Sequence, residues 1–269
     1  MKDKVVVITG AAGVICSIIT KFFAKKGAKV AMLDLNYEKG LELEKKFTNE
    51  GLKVKAYKCN VLDKKNVEEV YENIKRDLGA VDILINGAGG NSPRATADQE
   101  IYDRKAKGTS FFDIDPKGIE FVFDLNILGT IIPTQVIAKD MKKGCSIVNI
   151  SSMNAYTPLT KIVAYSGAKA SVNNFTQWLA VHLAKIGVRC NAIAPGFLVT
   201  NQNKALLFNE DGSPTARTGK ILRNTPMDRF GEPEEMLGAI EFLVDNEKAS
   251  FVTGIIIPID GGFSAYSGV

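Results

Sequence analysis

Short continuous apolar runs alternate with amphipathic stretches along almost the whole chain, and this alternation limits the fold more than any other feature. Residues 4–9 (KVVVIT) are β-branched and apolar, and a glycine turn follows them. Residues 14–26 then place Val14, Ile18, Ile19, Phe22 and Phe23 on one helical face, and Gly27 ends the helix. The cycle repeats as strand 28–33, helix 37–50, strand 53–59, helix 64–77 and strand 81–85. It continues as helix 116–141, strand 145–150, helix about 158–185, strand 188–194, helix near 233–245 and strand near 255–258. Apolar strands without polar alternation are buried on both faces, so the pattern predicts an α/β fold with a doubly wound parallel sheet. No linker or composition shift breaks the series, and 1–269 reads as a single domain.

Two stretches interrupt the rhythm. Residues 88–115 are rich in Gly, Asp, Ser and Thr, and residues 196–225 read as irregular. Both follow strand C-termini, where open α/β sheets bind ligands, so both are expected to serve as substrate loops. Composition narrows the function classes. With 45% hydrophobic and 24% charged residues the chain is neither disordered nor fibrous. No apolar run reaches the roughly 18 residues that span a bilayer, and the first residues show no signal-cleavage pattern. The expectation is a cytoplasmic protein without a membrane partner. The net charge of +4 is spread along the sequence, which argues against a nucleic-acid partner. Cys16, Cys59, Cys145 and Cys190 are far apart and predict buried thiols, with no disulfide framework and no metal site.

The segment Thr9-Gly10-Ala11-Ala12-Gly13 joins the first strand to the first helix. Glycine there lets the backbone approach a pyrophosphate, and the helix N-terminus supplies N–H donors; a ligand-free turn is the plain alternative. Asp34 ends the second strand, where a carboxylate accepts hydrogen bonds from adenosine ribose hydroxyls and repels a 2′-phosphate. This favours NAD over NADP. Asn60 and Val61 follow the third strand and are placed to border an adenine. Asn86, Gly87 and Ala88 follow the fourth, where small residues admit a ribose.

Tyr165 and Lys169 are spaced i, i+4 on a predicted helix and share a face. An ammonium near a phenol favours the phenolate, and a tyrosine so tuned serves as general acid or base. Tyr71 and Lys75 have the same spacing. Context separates the pairs, because only Tyr165 follows a strand that ends in Ser151-Ser152, a hydroxyl able to donate to a substrate oxygen. His182, the only histidine, lies more than four turns beyond Tyr165 and reads as structural.

Taken together, these residues resemble the short-chain dehydrogenase/reductase family. The likeness rests on Thr9-Gly10, Asn86-Gly87-Ala88-Gly89, Asn126, Ser152, Tyr165-x-x-x-Lys169 and Pro195-Gly196, in order and spacing. It implies a Rossmann-type sheet of about seven strands and a homotetramer. It further implies that Tyr165 exchanges the proton, Ser152 holds the carbonyl, Lys169 lowers the Tyr165 pKa and Asn126 positions a water. Gly10, Ala12, Gly13, Val14 and Ile15 would meet the pyrophosphate, and Pro195, Gly196 and Phe197 the nicotinamide. Val14 and Cys16 depart from the family turn T-G-x-x-x-G-x-G, which puts tight packing of the first helix in question.

Three segments, 86–93, 151–161 and 260–269, are similar to a narrower branch of that family, the D-mannonate oxidoreductases (fructuronate reductases). That resemblance implies NADH-dependent reduction of D-fructuronate to D-mannonate, and the reverse. Such a substrate needs a cation and polar groups. Arg94 and Lys161 are candidates for its carboxylate, and Asn154 and Gln202 for its hydroxyls. The alternatives are the same fold acting on 5-ketogluconate, a polyol or a 3-ketoacyl substrate, and a non-catalytic NAD sensor.

Overall fold

Strand β1 (Val5–Thr9) is buried along its whole length, because its two faces feed two separate cores. Val5 and Val7 join a cluster with Val67, Ile74, Ile137 and Leu179. Val6 and Ile8 point the other way and pack with Ile19, Phe23, Ile240 and Leu243. Fully burying a side chain the size of Phe23 or Ile137 contributes about 1.5–3 kcal/mol, so the continuous apolar strands drive the layering. The structure, a computed structural model, describes residues 1–200 and 207–268.

The other strands are β2 (Lys29–Asp34), β3 (Val54–Lys58), β4 (Ile83–Asn86), β5 (Ser146–Ile150), β6 (Arg189–Pro195) and β7 (Ile256–Ile259). All pair in parallel, in the order β3-β2-β1-β4-β5-β6-β7. Helices α1 (Val14–Lys25) and α2 (Tyr37–Asn49) cover one face. Helix α3 (Lys64–Asp77) covers the other. The winding direction reverses between β1 and β4, and a crevice opens there beyond the strand C-termini. Thr9 is in register with Leu33 and with Asn86, and Asn86 with Asn149, so four strand ends form a level floor.

The long helix expected at 116–141 forms in pieces. Helix α4 (Pro116–Phe123) runs into a π turn (Asp124–Leu128) and then α5 (Gly129–Ile137). The π turn carries Asn126, fully buried, and Thr130 donates to the Asn126 carbonyl at 2.8 Å. By length and composition the stretch Pro116–Asp140 is long and apolar enough to cross a bilayer, a test that a buried core helix also passes. Half of its apolar window is buried, and it forms the crossover between β4 and β5.

Helix α6 (Val163–Leu183) begins later than the expected 158. Ile162 N–H donates to Thr160 O at 2.8 Å around Lys161, whose φ is +70°. That tight left-handed turn is incompatible with a helix, so α6 starts after it. The segment 196–225 is less irregular than expected, since it contains α7 (Ala216–Arg223), capped by Thr215 on the Thr218 N–H. Helix α8 (Leu237–Val244) precedes β7.

Candidate active site

A cavity of about 870 Å³ follows the strand C-termini from the end of β2 to the end of β6. At one end Gly10 has φ +66°, and a Cβ there would come within 2.9 Å of the Ala88 backbone. Only glycine allows β1 and the β4 loop to approach so closely. Thr9 Oγ1 ties them by accepting from Gly87 N at 3.1 Å and Ala88 N at 3.2 Å. Gly13 caps α1 in extended conformation without a side-chain cap bond, and Val14 and Ile15 of the first helical turn, whose N–H groups have no intrahelical partner, line the cavity. A negatively charged group suits that end.

The Val14–Cys16 departure is accommodated rather than disruptive. A Cβ on Gly87 would collide with Cys16 Sγ, so the missing side chain of Gly87 makes room for the thiol. Burial pushes that thiol up to about 12, with the Lys169 ammonium opposing. Asp34 sits at the cavity rim. Its Oδ2 accepts from Ala12 N at 2.9 Å and its Oδ1 from Asn36 N at 2.8 Å. Asn60 and Val61 also line the cavity, and Leu62 N donates to Asn60 Oδ1 at 3.1 Å. The glycine cradle, the uncapped helix and the rim carboxylate fit a dinucleotide.

Asn86 requires a correction. Its side chain does not line this cavity but is buried in the sheet, where Nδ2 donates to Thr134 Oγ1 at 2.9 Å and Asn149 Oδ1 at 2.8 Å. A buried amide needs partners, and the sheet interior supplies them. Its neighbours Gly87, Ala88 and Gly89 do line the cavity. At the far side Pro195, Gly196 and Phe197 form the wall. Gly196 is required there, since a Cβ would lie 2.6 Å from Asp260 Cα.

Tyr165, Lys169 and Ser152 meet at the cavity floor. Helix α6 holds the first two on one face, and Lys169 Nζ lies 5.7 Å from the Tyr165 ring centre. Ser152 follows β5, and its hydroxyl is close enough to the Tyr165 phenol to favour the phenolate. Ser151 points the other way, toward Asn173 on α6. Ser152 Oγ accepts from Asn154 N at 3.2 Å.

Burial dominates the electrostatics. It pushes the Lys169 ammonium down to about 8, and Lys169 Nζ donates to Ile150 O at 2.8 Å. Burial also raises the Tyr165 phenol, with the Ser152 hydroxyl opposing. The expected lowering of Tyr165 by Lys169 is not seen: burial sets the direction of the shift, and the group that opposes it is Ser152. Asn126 is locked by Nδ2 bonds to Gly90 O and Val122 O, both 2.7 Å, and its Oδ1 accepts from Gly90 N at 3.2 Å. A Cβ on Gly89 would lie 2.6 Å from Asn126 Oδ1 and 3.1 Å from Lys169 Nζ, so both flank that glycine.

The substrate candidates separate. Arg94 does not line the cavity; its Nε donates to Asp115 at 2.9 Å, and this ion pair holds the guanidinium outside. Lys161 lines a second cavity of about 300 Å³ with Gln99, Tyr102 and Ser110. Asn154 is buried beside Ser152. Gln202 lies outside the described residues. Tyr71 and Lys75 lie apart from the cleft, where Lys75 pairs with Glu72 and Asp140. The sequence reading missed Lys39, Leu125 and Leu198 of the cavity wall, which belong to no local motif. No group of three or more metal-ligating side chains occurs among the described residues.

Comparison with known proteins gives the family. Residues 10–264 match the family model described as enoyl-(acyl carrier protein) reductase, a short-chain dehydrogenase/reductase model. An uncharacterized oxidoreductase of Haemophilus influenzae is 59% identical, over 100% of this chain and 96% of its own length. The uncharacterized oxidoreductase UxuB of Bacillus subtilis is 50% identical, over 100% and 98% respectively. A crystal structure with bound NAD, of a Haemophilus protein provisionally assigned as a D-mannonate oxidoreductase, superposes with a TM-score of 0.97 at 58% identity. It covers 100% of this chain and 98% of that one.

Proposed function

Because the chain belongs to the short-chain dehydrogenase/reductase family and is an oxidoreductase of it, we propose that it uses NAD to interconvert a sugar-acid ketone and its alcohol. The substrate pair we assign is D-fructuronate and D-mannonate. The observation that carries the reading is the junction of Ser152, Tyr165 and Lys169 at one end of a cleft whose other end holds Asp34. The relative with bound NAD, provisionally assigned as a D-mannonate oxidoreductase, supports the choice of substrate.

In this reading Gly10, Ala12, Gly13, Val14 and Ile15 hold the pyrophosphate, Asp34 the adenosine ribose, and Asn60 and Val61 the adenine. Gly87, Ala88, Pro195, Gly196 and Phe197 border the nicotinamide ribose and ring. When bound, the dinucleotide supplies or takes up the hydride at the substrate carbon. Ser152 donates to the substrate oxygen and stabilises alkoxide charge as it develops. Tyr165 gives its phenolic proton to that oxygen in reduction and takes it back in oxidation. Lys169 faces the ribose hydroxyls and offsets phenolate charge in a site that excludes water. Asn126 fixes the loop at Gly90 and, with Lys169, the position of a water that returns the proton to solvent. Lys161 is the carboxylate partner we favour over Arg94, since Arg94 is paired with Asp115 whereas Lys161 lines the second cavity, and Glu100 and Asp98 feel its charge.

We further propose a cytoplasmic homotetramer acting on small molecules rather than nucleic acid or membrane. Trp178 and Val181 on α6 are 58% and 79% exposed, apolar side chains suited to a second copy.

The test is the initial rate of NADH consumption with D-fructuronate, with D-tagaturonate, 5-ketogluconate and a ketoacyl ester alongside, repeated with NADPH. A saturable rate confined to fructuronate and NADH is expected. Turnover of another ketone alone removes the substrate assignment, and preference for NADPH removes the role of Asp34.

A further inference from the structure

Segment 87–90 connects the start of α1 to the catalytic groups. At its near end Gly87 N and Ala88 N donate to Thr9 Oγ1. At its far end Gly90 N donates to Asn126 Oδ1 at 3.2 Å, and Asn126 Nδ2 donates to Gly90 O at 2.7 Å. Gly89 lies between and fits only as glycine, since a Cβ would stand 2.6 Å from Asn126 Oδ1 and 3.1 Å from Lys169 Nζ. Close-packed interiors transmit displacement rather than absorb it, so a sideways move of this segment reaches both Asn126 and Lys169.

A contact from α1 fixes that sideways position. The Cys16 thiol is buried, and a Cβ on Gly87 would collide with its Sγ. The sulfur therefore occupies the place that a side chain at residue 87 would take. Glycine at position 16, as in the turn T-G-x-x-x-G-x-G, would leave that place empty, so the support belongs to this chain's own pair of residues. The Cys16 thiol and the Lys169 ammonium also act on each other electrostatically, as groups in one neighbourhood do. We propose that the Cys16–Gly87 pair positions Lys169, the sulfur holding segment 87–90 against the lysine and Asn126. Cys16 is then a positioning residue that acts through Gly87. The inference rests on the proposed role of Lys169 at the ribose hydroxyls and names what keeps that lysine in place.

The experiment is a double-mutant cycle on the full-length protein between Cys16→Gly and Lys169→Met. The Kd of NADH, read by its fluorescence, needs no knowledge of the ketone. With Lys169 present, Cys16→Gly is expected to raise that Kd about fivefold, and in the Lys169→Met background less than about twofold. Kinetics follow with whichever ketone of the panel above turns over; if none does, the Kd cycle decides by itself. Cys16→Gly is expected to lower kcat about 5- to 20-fold and to leave the KM of the ketone within about twofold, because Lys169 acts on phenolate charge and not on the bound ketone. Cys16→Gly combined with Gly87→Ala puts a methyl group into the same space from the other side, and is expected to recover most of both losses. Cys16→Ala takes the place of the glycine variant if that one fails to fold, with the same pattern expected.

Equal effects of Cys16→Gly with and without Lys169 overturn the proposal, since the sulfur then serves packing alone. A glycine variant indistinguishable from the wild type, or no recovery with Gly87→Ala, overturns it too. Lys169→Met with unchanged NADH Kd and kcat overturns the reading of the cleft and this proposal with it. Lys169→Met that weakens both, with Cys16→Gly additive to it, overturns this proposal and leaves the reading of the cleft.

Discussion

The contact between Cys16 and Gly87 decides whether α1 and the β4 loop fit together, and it is open to a double-mutant cycle. A Cβ on Gly87 would collide with Cys16 Sγ and approach Thr9 O to 2.9 Å, while remaining 3.8 Å from Cys16 Cβ. Gly87→Ala thus overpacks a closed core, at a cost of about 1–3 kcal/mol. Cys16→Ala removes one buried sulfur and costs about 1 kcal/mol. In the double variant the sulfur clash is gone and the 3.8 Å contact is ordinary, with only the Thr9 carbonyl left to shift. Its total cost should fall short of the sum of the singles by about 1–2 kcal/mol. Urea unfolding of the four proteins reads the cycle, and a dye-monitored melt checks it at about 2–4 °C per kcal/mol. NADH affinity should follow the same order, because Gly87 lines the cleft. Additivity within about 0.5 kcal/mol would refute the reasoning, as it would mean that the thiol and the glycine do not share the space.

Tyr165→Phe should lower kcat about 10²- to 10⁴-fold while NADH quenching shows unchanged cofactor binding, and retained activity would refute the proton role. Lys169→Met should stabilise the ligand-free protein, because a lysine held down to about 8 is costly to keep charged in the fold. The unfolded chain binds the proton more tightly between about 8 and 10.5, so the wild type gains stability as pH rises through that window. The advantage of the variant in urea melts should therefore be full below pH 8 and vanish toward 10.5; a gain independent of pH would contradict it. Lys161→Met should raise KM for a keto sugar acid about 10-fold and leave an uncharged ketone unaffected, and equal effects on both would place its ammonium elsewhere.

Much of the chain was legible because its signals are local. Helix α3 occupies 64–77 as its apolar period predicts, and the strands follow their β-branched runs. The Tyr165–Lys169 face follows from helical spacing alone. Residues whose surroundings come from far along the sequence were read less well. Asn86 looked like a ligand contact, but its amide is claimed by Thr134 and Asn149. Arg94 looked like a free cation, yet Asp115 reaches it across the loop. The start of α6 was misplaced because a left-handed lysine leaves no signature in hydrophobic period.

By itself the sequence determined the order and kind of the elements, the glycine turn, the rim carboxylate and the Tyr–Lys spacing, since each depends on residues within a few turns of one another. Tertiary structure alone decided the strand order β3-β2-β1-β4-β5-β6-β7, the pairing of Cys16 with Gly87 and the burial that raises Tyr165 and lowers Lys169. Those outcomes are set by which surfaces exclude water together, and desolvation acts only once distant segments have packed.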